Sequence, residues 1–159
     1  MEVWLLRHAA AEARAPSGRD ADRALTAEGI ERARRVARGL AALAPEIGLV
    51  LTSPYRRARQ TAEPAARALG LDGKLRESRA LEPGRDPSEI LEEIAQLEES
   101  VLLVGHEPHL GVLLGRLVSG GRGLEIPLKK AAVARVELED GNRGALRALL
   151  PAKVLEKVG

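Results

Sequence analysis

Val3-Trp4-Leu5-Leu6 is a run of four apolar residues that stops abruptly on Arg7-His8. A continuous apolar run this short, closed by charge, has the pattern of a strand buried on both faces of a parallel sheet. Leu49-Val50-Leu51-Thr52 and Val101-Leu102-Leu103-Val104 repeat it, and each gives way to polar or glycine-containing sequence and then to helical periodicity. Strand, turn and helix taken three times predict an α/β fold, because each strand needs helices to cover it. The expected architecture is a three-layer sandwich, with a mostly parallel central sheet and helices on both faces.

The intervening sequence supplies the helices. Thr26 can cap one whose Ile30, Ala33, Ala37 and Leu40 share a face, with Arg32, Arg35 and Arg38 turned elsewhere. Ser53-Pro54 reads as an N-cap and a first helical proline for a helix running to Leu69 and stopped by Gly70. Pro64 predicts a kink or break near Thr61, since proline removes a donor and crowds the preceding turn. Asp86-Pro87-Ser88-Glu89 nearly spells a capping box, with Ile90, Leu91, Ile94 and Leu97 facing inward. Pro108 opens a further helix through Leu110, Leu113, Leu114 and Leu117, which Gly120-Gly121 ends. Ala134 to Leu138 alternates, and Asp140-Gly141-Asn142-Arg143-Gly144 turns it into Ala145 to Leu150, an antiparallel hairpin at the sheet edge near the C-terminus.

At 159 residues and 45% apolar, the chain predicts one domain over residues 1–159, and no repeat or linker divides it. It has no Phe, so Leu, Ile, Val and Ala must fill the core around Trp4 and Tyr55. The absence of Cys excludes disulfides, thiolate metal sites and a cysteine nucleophile together. A formal charge of +2 argues weakly for nucleic acid, and the arginines at 32, 34, 35 and 38 read as a solvated helix face. No long apolar stretch or leader pattern is present, so a soluble cytoplasmic protein without a membrane partner is expected.

The chain has three histidines: His8, His106 and His109. His8 and His106 both follow predicted strands, and open parallel sheets bind ligands at the carboxyl ends of their strands. Arg7 precedes His8, and Gly105 precedes His106, where a missing Cβ would let backbone approach a bound group. The segment Ser53 to Thr61 leaves the middle strand at the same edge and opens a basic helix, which suits a phosphate. Arg57 and Thr61 share a face there, whereas Arg56 and Arg59 point away to solvent.

Arg7-His8-Ala9, Leu25-Thr26-Ala27-Glu28-Gly29, Ser53-Pro54 with Arg57-Ala58 and Gln60-Thr61, and Gly105-His106-Glu107-Pro108 together resemble the histidine phosphatase superfamily, the phosphoglycerate mutase-like fold. The short length, Leu81-Glu82-Pro83-Gly84 with Asp86-Pro87, and Leu128-Lys129-Lys130 before a strand are more similar to its SixA-type phosphohistidine phosphatase branch. The resemblance implies His8 as nucleophile, with Arg7, Arg57 and His106 forming the phosphate pocket. It also implies a carboxylate acid between the second and third strands, for which Glu82 is the candidate and Glu77 the other flanking acid.

The chemistry fits independently. A neutral imidazole attacks phosphorus without a metal or activating base, and guanidinium forks match equatorial phosphoryl oxygens. Ser53, Thr61, Glu107, His109 and Lys130 are the candidate substrate contacts, with Lys129 beside Lys130 at the rim. His106-Glu107-Pro108-His109 packs three potential metal ligands into four residues, but it lacks the His-Glu-x-x-His spacing, so no metal is expected. The expected substrate is a phosphohistidine on a protein, with a small phosphate ester as the alternative. A phosphate-binding scaffold without turnover is the reading from another class.

Overall fold

The apolar runs form strands, and their burial on both faces explains why they do not alternate. The computed structural model describes residues 1–159 apart from 44–45, 122 and 140–142. Strand β1 spans Glu2–Arg7, helix α1 Ala27–Leu43, β2 Ile47–Thr52, α2 Arg56–Ala68 and β3 Leu75–Glu77. Helix α3 spans Pro87–Ile94, β4 Ser100–Gly105, α4 His109–Ser119, β5 Val133–Leu138, β6 Gly144–Leu150 and α5 Ala152–Leu155. One six-stranded sheet has the order β3-β2-β4-β1-β5-β6. The first four strands in that order run parallel, while β5 is antiparallel to β1 and β6 to β5, which gives the expected edge hairpin. Part of its predicted turn, at 140–142, lies outside the described residues.

Two cores cover the two faces. Trp4, Leu6, Val50, Leu102 and Val104 face Ala33, Val36, Ala37 and Leu40 of α1, Ala58, Ala62, Ala65 and Ala66 of α2, and Leu155 of α5. Val3, Leu5, Leu51, Val101 and Leu103 face Ile90 and Ile94 of α3 and Leu110, Leu113, Leu114 and Leu117 of α4. Adjacent strand residues alternate between these cores, so the three-layer expectation holds. Full burial of each leucine contributes about 2 kcal/mol. Small residues set the spacing: a Cβ on Gly115 would stand 1.7 Å from the Leu124 carbonyl oxygen.

The caps follow the sequence with two exceptions. Thr26 Oγ1 accepts from the Gly29 N–H at 2.9 Å, and Asp86 accepts from Ser88 N–H at 2.8 Å. Gly70 closes α2 at φ +72, and Gly120 closes α4 at φ +68. Ser53-Pro54, however, does not begin α2, which starts two residues later at Arg56. The Ser53 hydroxyl accepts from the Tyr55 N–H and also meets His106, so it holds a turn rather than a helix. Nor does Pro64 break the helix: α2 runs through it to Ala68, and Thr61 Oγ1 donates to the Arg57 carbonyl at 2.8 Å. Its cost, one missing donor opposite Gln60, is absorbed by packing of the surrounding alanines. The three-residue β3 and the short α5 are additions to the elements expected.

Register aligns the strand ends. Arg7 lies opposite Gly105 and Thr52 opposite Val104, so the residues that follow these strands emerge at one sheet edge. His8 N–H donates to the Gly105 carbonyl at 3.0 Å, and Ser53 N–H to that of Val104 at 2.9 Å, extending the ladder by one step on each side.

Candidate active site

His8, Ser53 and His106 are the first residues past the ladders of β1, β2 and β4, and parallel pairing therefore puts them side by side. His8 is 7% exposed, His106 2% and Arg57 5%. The ring centroids of His8 and His106 stand 5.1 Å apart.

The tautomer of His8 follows from its neighbours. Nδ1 lies 2.7 Å from the Ala9 carbonyl oxygen, which can only accept, so Nδ1 carries the proton. Nε2 then presents its lone pair, and Arg57 Nε–H donates to it at 3.3 Å. Desolvation by burial pushes His8 down to about 4; the Ala9 carbonyl opposes this, and the charges of Arg57 and Arg7 add to it. The Ala9 peptide is itself fixed, because its N–H donates to Thr61 Oγ1 at 3.1 Å. Thr61, a candidate substrate contact, thus holds the turn after His8.

His106 Nε2 and Ser53 Oγ are 2.8 Å apart. Burial first, and then the charges of His8 and Arg57, push His106 down to about 2, so it is neutral at working pH. A hydroxyl that donates to Nε2 leaves the hydrogen on Nδ1, and Nδ1 is buried with no partner among the described residues. Arg7 shows the same feature. Its Nη1 donates to the Leu128 carbonyl at 2.9 Å, while its Nε is buried without a partner among the described residues. Two buried donors without a partner among the described residues, on Arg7 next to His8 in the chain and on His106 across from its ring, fit an oxyanion, since an orphaned buried N–H is otherwise costly.

Arg57 is held from the far side by a segment that periodicity does not single out. Its Nη1 donates to the Asp20 carbonyl at 2.8 Å and its Nη2 to Asp20 Oδ2 at 3.1 Å. Asp20 opens a single 3-10 turn, Asp20–Asp22, and Arg23 Nη1 donates to its other carboxylate oxygen at 2.8 Å. The Arg57 guanidinium carbon also lies 5.1 Å from the Tyr55 ring centroid, and that ring meets His106 edge-on at 5.3 Å. Asp20, Arg23 and Tyr55 are the site neighbours that the sequence reading lacked. Residues 17–23 alternate charge like a solvated loop, so nothing local marks them.

The remaining candidates fall elsewhere. Glu82 follows the 3-10 turn Arg79–Leu81, and its carboxylate is taken up by Arg79 at 3.1 Å, not by Arg7, Arg57 or His106. Glu77 pairs with Arg59 at 3.2 Å on the surface. Glu107 Oε1 accepts from the Leu128 N–H at 3.2 Å, and burial raises its pKa. His109 is buried, at 4% exposed, with both ring nitrogens unpartnered among the described residues. Lys129 and Lys130 are exposed, as a rim would require. They precede Ala131, whose φ of +57 is unusual for a residue with a Cβ and whose N–H donates to the Arg7 and His8 carbonyls. Gly105 has a structural cause, since a Cβ there would come within 3.3 Å of the Leu110 side chain. No cluster among the described residues has the composition to hold a metal ion.

Comparison with known proteins places this arrangement. The chain is 32% identical over 150 residues to the phosphohistidine phosphatase SixA of Escherichia coli, across 91% of this chain and 89% of that one. It is 36% identical over 138 residues to an uncharacterized protein of Picosynechococcus, across 84% and 82%. The solved structure of the protein histidine phosphatase SixA complexed with tungstate superposes with a TM-score of 0.86 at 29% identity, covering 96% of this chain and 98% of that one. A family model matches residues 3–82, the half that carries Arg7, His8 and Arg57, and with it the chain belongs to the histidine phosphatase superfamily, branch 1.

Proposed function

We propose that this phosphatase hydrolyses phosphohistidine on a protein substrate through a covalent phospho-His8 intermediate, without a metal, as a single-domain cytoplasmic enzyme. The observation that carries the reading is the neutral His8 with Nδ1–H spent on Ala9 and its Nε2 lone pair beside Arg57. The SixA relatives, matched over almost the whole chain, support the substrate class.

In the first step Nε2 of His8 attacks phosphorus, a new N–P bond forms, and the N–P bond of the substrate breaks to release its imidazole. Arg57, Arg7 Nε–H and His106 Nδ1–H donate to the equatorial oxygens, where charge collects. In the second step water attacks the phosphoryl group, releasing orthophosphate and restoring His8. Glu82, paired with Arg79, is the weak point of an ester mechanism, because an alkoxide needs a proton on leaving. A phosphohistidine ring protonated on its other nitrogen leaves as neutral imidazole and does not share that demand, which favours phosphohistidine over a small phosphate ester.

The test is turnover of a phosphohistidine peptide and a panel of small esters in the presence of chelator, with rapid quenching at alkaline pH. An alkali-stable, acid-labile phosphate on wild-type enzyme and its loss in His8→Ala are expected. Full activity of that variant, or a requirement for a divalent ion, would overturn the mechanism. Preference for esters would overturn the substrate, and binding without turnover would favour a scaffold.

A further inference from the structure

Asp20 stands where a phosphate pocket should tolerate negative charge least. Its carboxylate bonds Arg57 Nη2 at 3.1 Å and Arg23 Nη1 at 2.8 Å, yet its side chain is 53% exposed, whereas that of Arg57 is 6% exposed. It therefore spans the boundary between the buried pocket and solvent. Arg57 marks the distance: its Nε meets the His8 lone pair, and its Nη end meets Asp20. Displacement at phosphorus is in line, so the leaving atom lies opposite His8 Nε2, on the solvent side. The field of Asp20 also reaches His106, and Arg23 and Arg57 keep its carboxyl ionised.

A fixed carboxylate beside a phosphoryl dianion raises its energy, and an anchor for Arg57 needs no charge, since the Asp20 backbone carbonyl already accepts from Nη1 at 2.8 Å. The charge has a use if the leaving group carries a proton. Resting on the phosphohistidine reading above, we infer that Asp20 accepts a hydrogen bond from the ring N–H opposite the phosphorylated nitrogen of the substrate imidazole, and so selects phosphorylated imidazoles over phosphate esters. With that nitrogen protonated, the substrate ring is an imidazolium. The N–P electron pair returns to the ring on cleavage, and neutral imidazole departs with the proton it already held. No acid is required, and Asp20 favours the form that leaves best.

The experiment compares wild type with Asp20→Asn on two probes, a phosphohistidine peptide and p-nitrophenyl phosphate. The second has a good leaving group with no N–H to donate. Asparagine can still accept from Arg57 through its one oxygen, and the residue 20 carbonyl still accepts from Nη1, so the main hold on Arg57 survives while the charge and the Arg23 pairing go. The expected result is a fall of about 30-fold in kcat/KM for the peptide, the ordinary worth of a hydrogen bond to a charged group, against a loss at least several-fold smaller for the ester, which reads only the weakened hold on Arg57. Equal losses on both probes, or no loss on the peptide, would overturn the role of Asp20 while leaving the proposed function standing. Wild type that turns over the ester but not the peptide would overturn both.

Discussion

Acid should destabilise this protein well above the range where carboxylates titrate. The unfolded chain holds its imidazoles near 6.5, whereas the folded chain holds His8 at about 4 and His106 at about 2, chiefly because burial disfavours the charged ring. Stability from these neutral rings is present in full above 6.5 and is lost as pH falls from there toward the folded values. Near pH 5 the unfolded rings are almost fully protonated and the folded ones almost neutral. Each ring therefore costs the fold about 2 kcal/mol, the 1.5-unit gap between pH 5 and 6.5 at 1.36 kcal/mol per unit. That figure depends on the unfolded value alone, so the coupling between the two rings does not alter it. His109, buried and lowered, acts in the same direction, while Glu107, raised by burial, takes up its proton earlier in the fold and offsets part. The lowered carboxylates of Glu2, Asp20 and Glu156 act mainly below this window. Urea unfolding of wild type from pH 7.5 to 5 should show a loss of about 4 kcal/mol, and His8→Gln or His106→Gln should each remove about half of the slope. A flat profile, or a slope unchanged in both variants, would refute the neutral pair and with it the lone-pair nucleophile.

Two further outcomes test the supports of the site. Gly115→Ala should destabilise the fold by about 3 kcal/mol in thermal or urea unfolding, because the new Cβ meets the rigid Leu124 carbonyl rather than a side chain that can swing away; a change within experimental scatter would mean that α4 can shift freely. Glu107 holds Leu128 N–H, and the Leu128 carbonyl holds Arg7, so Glu107→Ala should raise KM about 10-fold with a smaller change in kcat, and Glu107→Gln should restore most of it; equal steady-state constants in all three proteins would show that Arg7 is held without this tie.

Local sequence was enough wherever one element settles the matter by its own pattern. Apolar runs too short to be helices determined β1, β2 and β4, and the caps at Thr26, Asp86, Gly70 and Gly120 marked helix ends, because these signals act over a few residues. Parallel pairing put the carboxyl ends of these strands at one edge, as the sequence reading expects, and the sheet order, with β4 beside β1, made Arg7, His8 and His106 neighbours. What the chain could not show is which partners meet across distance. Strand β3 has three residues, too few for any period, and is a strand because β2 pairs with it. Ser53 looked like a helix cap and is the partner of His106, and Thr61 is the clamp on Ala9, contacts that no local pattern specifies. That His109 is buried, and that the Glu82 carboxylate pairs with Arg79, are likewise outcomes of the fold that the sequence leaves open. Asp20, in a loop whose sequence resembles solvated surface, reaches Arg57 because the chain folds back over α2, and no local rule encodes a contact made 37 residues away.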